Sequence, residues 1–157
     1  MKILMIDDHL MFLQGLRNLL ALLAPQHSVE IASGLAQALE LLHLGEPELV
    51  LLDWHLPEAE GEVSLERLRD AGCTARIVIL SGENSRALMA RAIEHGAAGF
   101  IPKAYSSEMM LAALAPDEVG PLLLAGSPVS YWAGVEGKNP MRYSGGLMGG
   151  TWLASLA

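Results

Sequence analysis

Four short apolar runs in this chain end on side chains able to do acid, metal or phosphate chemistry. KILMI (Lys2 to Ile6) runs into Asp7 and Asp8, LVLL (Leu49 to Leu52) into Asp53, RIVIL (Arg76 to Leu80) into Ser81, and GFI (Gly99 to Ile101) reaches Pro102 and Lys103. If the runs lie side by side, the carboxylates of Asp7, Asp8 and Asp53 converge and repel one another, and such a cluster needs a cation. All-oxygen ligation suits a hard ion, Mg²⁺ (or Mn²⁺). Asp53, alone at the end of its run, is the candidate nucleophile. The Lys103 ammonium, the Ser81 hydroxyl and the cation would surround and neutralise a phosphoryl group carried on its carboxylate.

Strand and helix patterns alternate along the chain in a way that could position these residues. Each apolar run is short and continuous, as in a parallel strand buried on both faces. After the first, Leu10, Leu13, Leu16, Leu20 and Leu23 recur at helical spacing, with Pro25 just beyond. Val29 to Ala32 forms a second strand, and Ser33 is placed to cap a helix from about Gly34 to Leu44, stopped by Gly45. Glu62 to Asp70 and Asn84 to His95 give two more helices, and Ser106 to Ala115 opens a fifth. Five strand-helix units predict an α/β fold, a doubly wound parallel sheet of flavodoxin-like strand order 2-1-3-4-5. Ligand sites in such sheets lie at the carboxyl ends of the strands, where Asp7, Asp8, Asp53, Ser81 and Lys103 all fall.

Composition narrows the classes. The net charge of −8 argues against a broad nucleic-acid footprint, so no direct DNA binding is expected. No run approaches the roughly 18 apolar residues of a membrane span. The single Cys73 excludes an internal disulfide, and acids interrupt the amino terminus where a signal peptide would be apolar, so a cytoplasmic location is expected. His9 and His55 have no His or Cys partner at zinc-like spacing and read as surface or supporting residues, while Trp54 reads as packing.

The paired acids Asp7 and Asp8, the spaced unit Asp53, Pro57 and Gly61, the pair Ser81 and Gly82, and Phe100 followed by Lys103 together resemble the receiver domain of two-component response regulators. The resemblance covers about Met1 to Ala115. DDHLMFLQGL, with His9, Phe12 and Gly15, is similar to the subfamily that usually carries a C-terminal LuxR/NarL-type helix-turn-helix. The resemblance implies that Asp53 accepts phosphate from the phosphohistidine of a sensor histidine kinase. It implies that Asp8, Asp53 and the backbone carbonyl of His55 bind Mg²⁺, with Asp7 helping through water, and that Ser81 and Lys103 contact the phosphoryl oxygens. By the same resemblance Ser81 and Phe100 are switch residues, read on the face of the fourth helix, fifth strand and fifth helix, through which a homodimer is possible. Such a protein is a phosphorelay switch, for transcriptional regulation, with autophosphorylation and autodephosphorylation chemistry rather than a conventional enzyme. His55 and Glu83 would flank the phosphate entrance. Two alternatives stand beside this reading. An aspartyl-phosphate phosphatase of related topology would want a second acid two residues after the nucleophile, where this chain has His55. A scaffold of the same fold would have no use for Asp8, Asp53 and Lys103.

Beyond Ala115 the character changes. Residues 116–157 hold eight glycines, four prolines and five charged residues, with Lys138 and Arg142 the only cations. A Gly/Pro-rich tail with no recognisable output domain is expected over 116–157, either as a native extension or as the product of a shift of reading frame near Ala115. Tyr131, Trp132, Tyr143 and Trp152 give that segment apolar groups with which to pack.

Overall fold

The structure is a computed structural model and describes residues 1–23, 25–83, 85–104, 130–133 and 140–143. In chain order the elements are β1 (Lys2–Ile6), α1 (Leu10–Leu23), β2 (Ser28–Ala32), α2 (Leu35–Leu44), β3 (Leu49–Asp53), the two-residue strands β4 (His55–Leu56) and β5 (Ala59–Glu60), and α3 (Gly61–Asp70). There follow β6 (Arg76–Ser81), α4 (Arg86–Glu94), β7 (Gly99–Pro102), β8 (Ser130–Ala133) and β9 (Pro140–Tyr143). The parallel strands lie in the order β2-β1-β3-β6-β7, which is the anticipated 2-1-3-4-5. Two antiparallel strands, β8 and then β9, extend the sheet from β7, with Phe100 opposite Tyr131. The fifth helix proposed for Ser106 to Ala115 lies outside the described residues, as does most of the tail.

Alternate residues of each strand feed two cores. Leu4, Ile6, Val50, Leu52, Ile77, Ile79 and Phe100 face Leu35, Leu65, Leu68, Leu88 and Met89 of α2, α3 and α4. Ile3, Met5, Leu49, Leu51, Val78, Leu80 and Ile101 pack with Leu13, Leu16 and Leu20 of α1. Burial of each such side chain contributes about 1.5–3 kcal/mol before entropy is counted. Both faces of β1, β3 and β6 are therefore dry, which explains their unbroken apolar sequences. No helix among the described residues is long and apolar enough to cross a membrane.

Local details differ from the sequence reading in three places. Ser33 does not cap α2: Gly34 is the N-cap, and Ser33 instead donates its N–H (2.8 Å) and hydroxyl (3.1 Å) to Gln37 Oε1. Helix α4 begins at Arg86, because the Ser85 hydroxyl accepts the Leu88 N–H at 3.1 Å and caps the helix there. The loop after β3 is a small hairpin, β4 against β5, turning at Pro57 and Glu58, with proline's fixed φ suited to the first turn position. It leads to Gly61, where a Cβ would run into the six-membered ring of the fully buried Trp54. The Arg91 guanidinium of α4 lies 5.6 Å from the Trp54 ring centroid and pairs with Glu62 of α3.

Candidate functional site

Strand order reverses between β1 and β3, since the chain moves outward to β2 before crossing back. The carboxyl ends flanking that reversal carry Asp7 and Asp53. The Asp7 N–H donates to the Ala32 carbonyl at 3.1 Å, anchoring the residue just past β1, and Asp53 is the last residue of β3. Lys103 follows β7, and its N–H donates to the Ser81 carbonyl at 2.7 Å, so the ends of β6 and β7 are tied together.

These ties bring three charged groups into contact. Lys103 Nζ lies 2.6 Å from Asp7 Oδ2 and 3.1 Å from Asp53 Oδ2, serving as counter-ion to both acids. The two acids are almost wholly buried. The other Asp7 oxygen, Oδ1, accepts the His9 backbone N–H at 2.9 Å and lies 2.9 Å from His9 Nδ1. The same ring nitrogen lies 3.2 Å from Asp8 Oδ1, on a more exposed carboxylate, and 3.9 Å from Asp53 Oδ2. Burial raises the Asp7 carboxyl, but hydrogen bonds from Lys103 and His9 outweigh it and hold Asp7 below the usual carboxylate range. Burial and the neighbouring Asp7 charge push Asp53 above that range against the pull of Lys103. One acid is therefore held firmly ionised and the other is the strained member of the pair.

The remaining predicted residues surround this core at different depths. Ser81 is buried, and its hydroxyl oxygen accepts the Glu83 N–H at 3.0 Å, which leaves its proton free to donate. Phe100 is buried inside the sheet-and-helix core. The His55 N–H reaches Asp53 Oδ1 at 3.4 Å, while its half-exposed ring sits between Glu60 (3.1 Å) and Glu83 (3.5 Å). An open cavity of about 440 Å³ leads to Asp53, lined also by His9, Phe12, His55, Gly82, Glu83 and Lys103. Ser81 stands behind this lining rather than in it. His55 and Glu83 flank the cavity as the sequence suggested.

One ligand atom from each of Asp7, Asp8, His9 and Asp53 can be chosen so that all lie within 4.8 Å of one another. The carboxylate oxygens are donors of the type that a hard divalent cation takes. Sequence reasoning missed two members of the site. His9 was read as a surface or supporting residue, without a named place in the site, and the signal that places it here is its position directly after Asp8, at the turn into α1. Phe12, one helical turn further on, puts its ring 5.3 Å from Lys103 Nζ and helps hold the ammonium in place.

Residues 101–157 match a family described as Protein of unknown function (DUF3141), and this match overlaps the one given below over residues 101–115. Over 48 residues the chain is 60% identical to an uncharacterized protein in the ackA 5′ region of Rhizobium meliloti, a stretch covering 31% of this chain and 6% of that protein. Over 123 residues it is 33% identical to the nitrate/nitrite response regulator protein NarL of Escherichia coli K12, covering 78% of this chain and 57% of NarL. The chain thus spans only part of the curated relatives it matches. A solved response regulator from Burkholderia pseudomallei, described with a phosphorylated aspartic acid, calcium ion and citrate, is 31% identical with a TM-score of 0.62, covering 75% of this chain and 69% of that one. Residues 3–115 match the family described as Response regulator receiver domain, and with that match and the fold just described the chain belongs to the receiver family of two-component response regulators.

Proposed function

We propose that Asp53 is the phosphoacceptor of a two-component phosphorelay. The observation that carries this is the buried Asp53 carboxylate at the end of β3, 3.1 Å from Lys103 Nζ and opening onto the cavity. The phosphorylated aspartic acid and calcium ion of the Burkholderia relative support it. An Asp53 oxygen attacks phosphorus as the bond to the kinase's phosphohistidine nitrogen breaks, and the phosphoryl group passes to the carboxylate. Lys103 keeps Asp53 available as the anion and then contacts a phosphoryl oxygen. Asp8, Asp53 and the His55 carbonyl would hold Mg²⁺, with Asp7 helping through water, and the cation would supply positive charge to offset that gathering on the transferring group.

The Ser81 proton, free while its oxygen accepts from Glu83, is the group that turns toward the new phosphoryl oxygens. Phe100 fills the space behind it. The change is read on the face of α4 and β7, where a homodimer would also form. The donor is a sensor histidine kinase in the cytoplasm, and the output is transcriptional regulation through protein contacts rather than DNA binding by this chain. Incubation with Mg²⁺ and a small phosphodonor, followed by intact mass, tests the reading. Gain of one phosphoryl group, lost in Asp53→Asn, is expected. A gain that persists in that variant, or none with any donor, refutes it; rapid turnover of varied phosphoesters would point to a phosphatase instead.

A further inference from the structure

The cluster of acids beside Asp53 includes a ring nitrogen as well as oxygens. We propose that His9 Nδ1 is a ligand of the bound cation, so that the site takes a borderline divalent transition ion such as Co²⁺, Ni²⁺ or Zn²⁺ more tightly than Mg²⁺. This rests on the reading of Asp53 as the centre of a cation-dependent phosphoacceptor site.

The separations between the donor atoms suit coordination of one ion. Ligands bound to one ion at about 2.1 Å stand about 3.0 Å apart when adjacent and about 4.2 Å apart when opposite. His9 Nδ1 lies 3.2 Å from Asp8 Oδ1 and 3.9 Å from Asp53 Oδ2, oxygens of the two carboxylates assigned to the cation directly. Both separations fall within that range. The ring is also aimed, since the His9 backbone N–H is fixed on Asp7 Oδ1 and its carbonyl accepts the Leu13 N–H at 3.2 Å in the first turn of α1. Lys103 engages the Oδ2 atoms of Asp7 and Asp53, which leaves the Oδ1 atoms of Asp7 and Asp8 addressed by imidazole.

Donor chemistry separates the ions further. Mg²⁺ takes oxygen ligands and retains its waters, so an imidazole adds little to its binding. Neutral imidazole suits Zn²⁺, Ni²⁺ and their neighbours, whose affinities rise along the first transition row. The same carboxylates with His9 therefore discriminate between ion classes, whereas without it they would form an ordinary all-oxygen site. The competing role for His9 is that of an ion-pair partner of Asp7 that never touches the metal.

The test uses the full chain freed of metal by chelation, with Co²⁺ and Mg²⁺ affinities measured by calorimetry for the native protein, His9→Gln, His55→Gln and Asp53→Asn. Pulsed electron paramagnetic resonance of the Mn²⁺-loaded forms reads nitrogen coordination directly. Co²⁺ is expected to bind the native protein far more tightly than Mg²⁺. His9→Gln should weaken Co²⁺ by at least about tenfold, change Mg²⁺ by less than about twofold and abolish the nitrogen modulation, while His55→Gln keeps that modulation. The proposal is overturned if Asp53→Asn abolishes cation binding but His9→Gln leaves Co²⁺ within about twofold and no nitrogen signal is seen. In that case the phosphoacceptor reading stands. If Asp53→Asn leaves both cation binding and phosphoryl uptake intact, that reading falls too.

Discussion

Replacing Asp53 by asparagine should stabilise the protein while removing its chemistry. The carboxylate is buried beside Asp7, and one ammonium serves both acids. An amide of the same shape removes the repulsion and the desolvated charge and keeps the packing. Relief of functional-site strain of this kind is typically worth about 0.5–2 kcal/mol. For a chain of this size each kcal/mol raises Tm by about 2–4 °C. The sign with pH follows from the raised Asp53 carboxyl: the native state holds that proton more tightly than the unfolded chain does. Its contribution is therefore fully present below the ordinary carboxylate range and is lost as pH rises through the folded value. The lowered Asp7 acts in the opposite sense, its stabilisation being lost as pH falls through its folded value, but it is present in both proteins. The excess stability of Asp53→Asn should thus be greatest near pH 7 and shrink on acidification toward pH 4. Added Mg²⁺ should narrow the gap, because a ligand at ten times its Kd stabilises by about 1.4 kcal/mol and the variant binds it poorly. Thermal unfolding followed by circular dichroism, with and without chelator, measures all of this. A variant less stable than the native protein at pH 7 in chelator, or a gap that does not change with pH, would refute the electrostatic account.

Three further outcomes follow from the same contacts. Lys103→Met removes the shared counter-ion of two buried acids and should cost about 3–5 kcal/mol in urea unfolding at pH 7, with the loss diminishing in acid. Gly61→Ala forces a methyl into the Trp54 ring, for about 1–3 kcal/mol of overpacking; an unchanged urea midpoint would mean that the hairpin yields freely. Phe100→Ala empties a buried ring site and should cost about 3–5 kcal/mol, while phosphoryl uptake on Asp53, read by intact mass, continues.

The sheet was legible because its strands are buried on both faces: runs such as LVLL and RIVIL admit few other readings, and their order followed from the alternation with helices. Asp7, Asp53 and Lys103 were legible for a related reason, being polar groups where an apolar run stops. The aim of the His9 ring was not, because it depends on a backbone hydrogen bond to Asp7 at the turn into α1. Ser33 and Gly34 compete for one cap position, and residue type favoured the one that the chain does not use. The pairing of β7 with β8 was hidden in a glycine-rich stretch, since a long-range antiparallel contact leaves little local pattern when the strand has only four residues.

Trp54 gives the molecule an optical property. Its indole is shielded from water, its backbone N–H donates to the Leu80 carbonyl at 3.0 Å, and it immediately follows Asp53. Indole emission responds to nearby charge, and this ring has the Arg91 guanidinium 5.6 Å from its centroid and belongs to the residue that follows Asp53 in the chain. A chain carrying Trp132→Phe and Trp152→Phe would therefore emit from a single fluorophore one residue from Asp53. Cation arrival and phosphoryl transfer could then be timed by stopped flow with no dye attached.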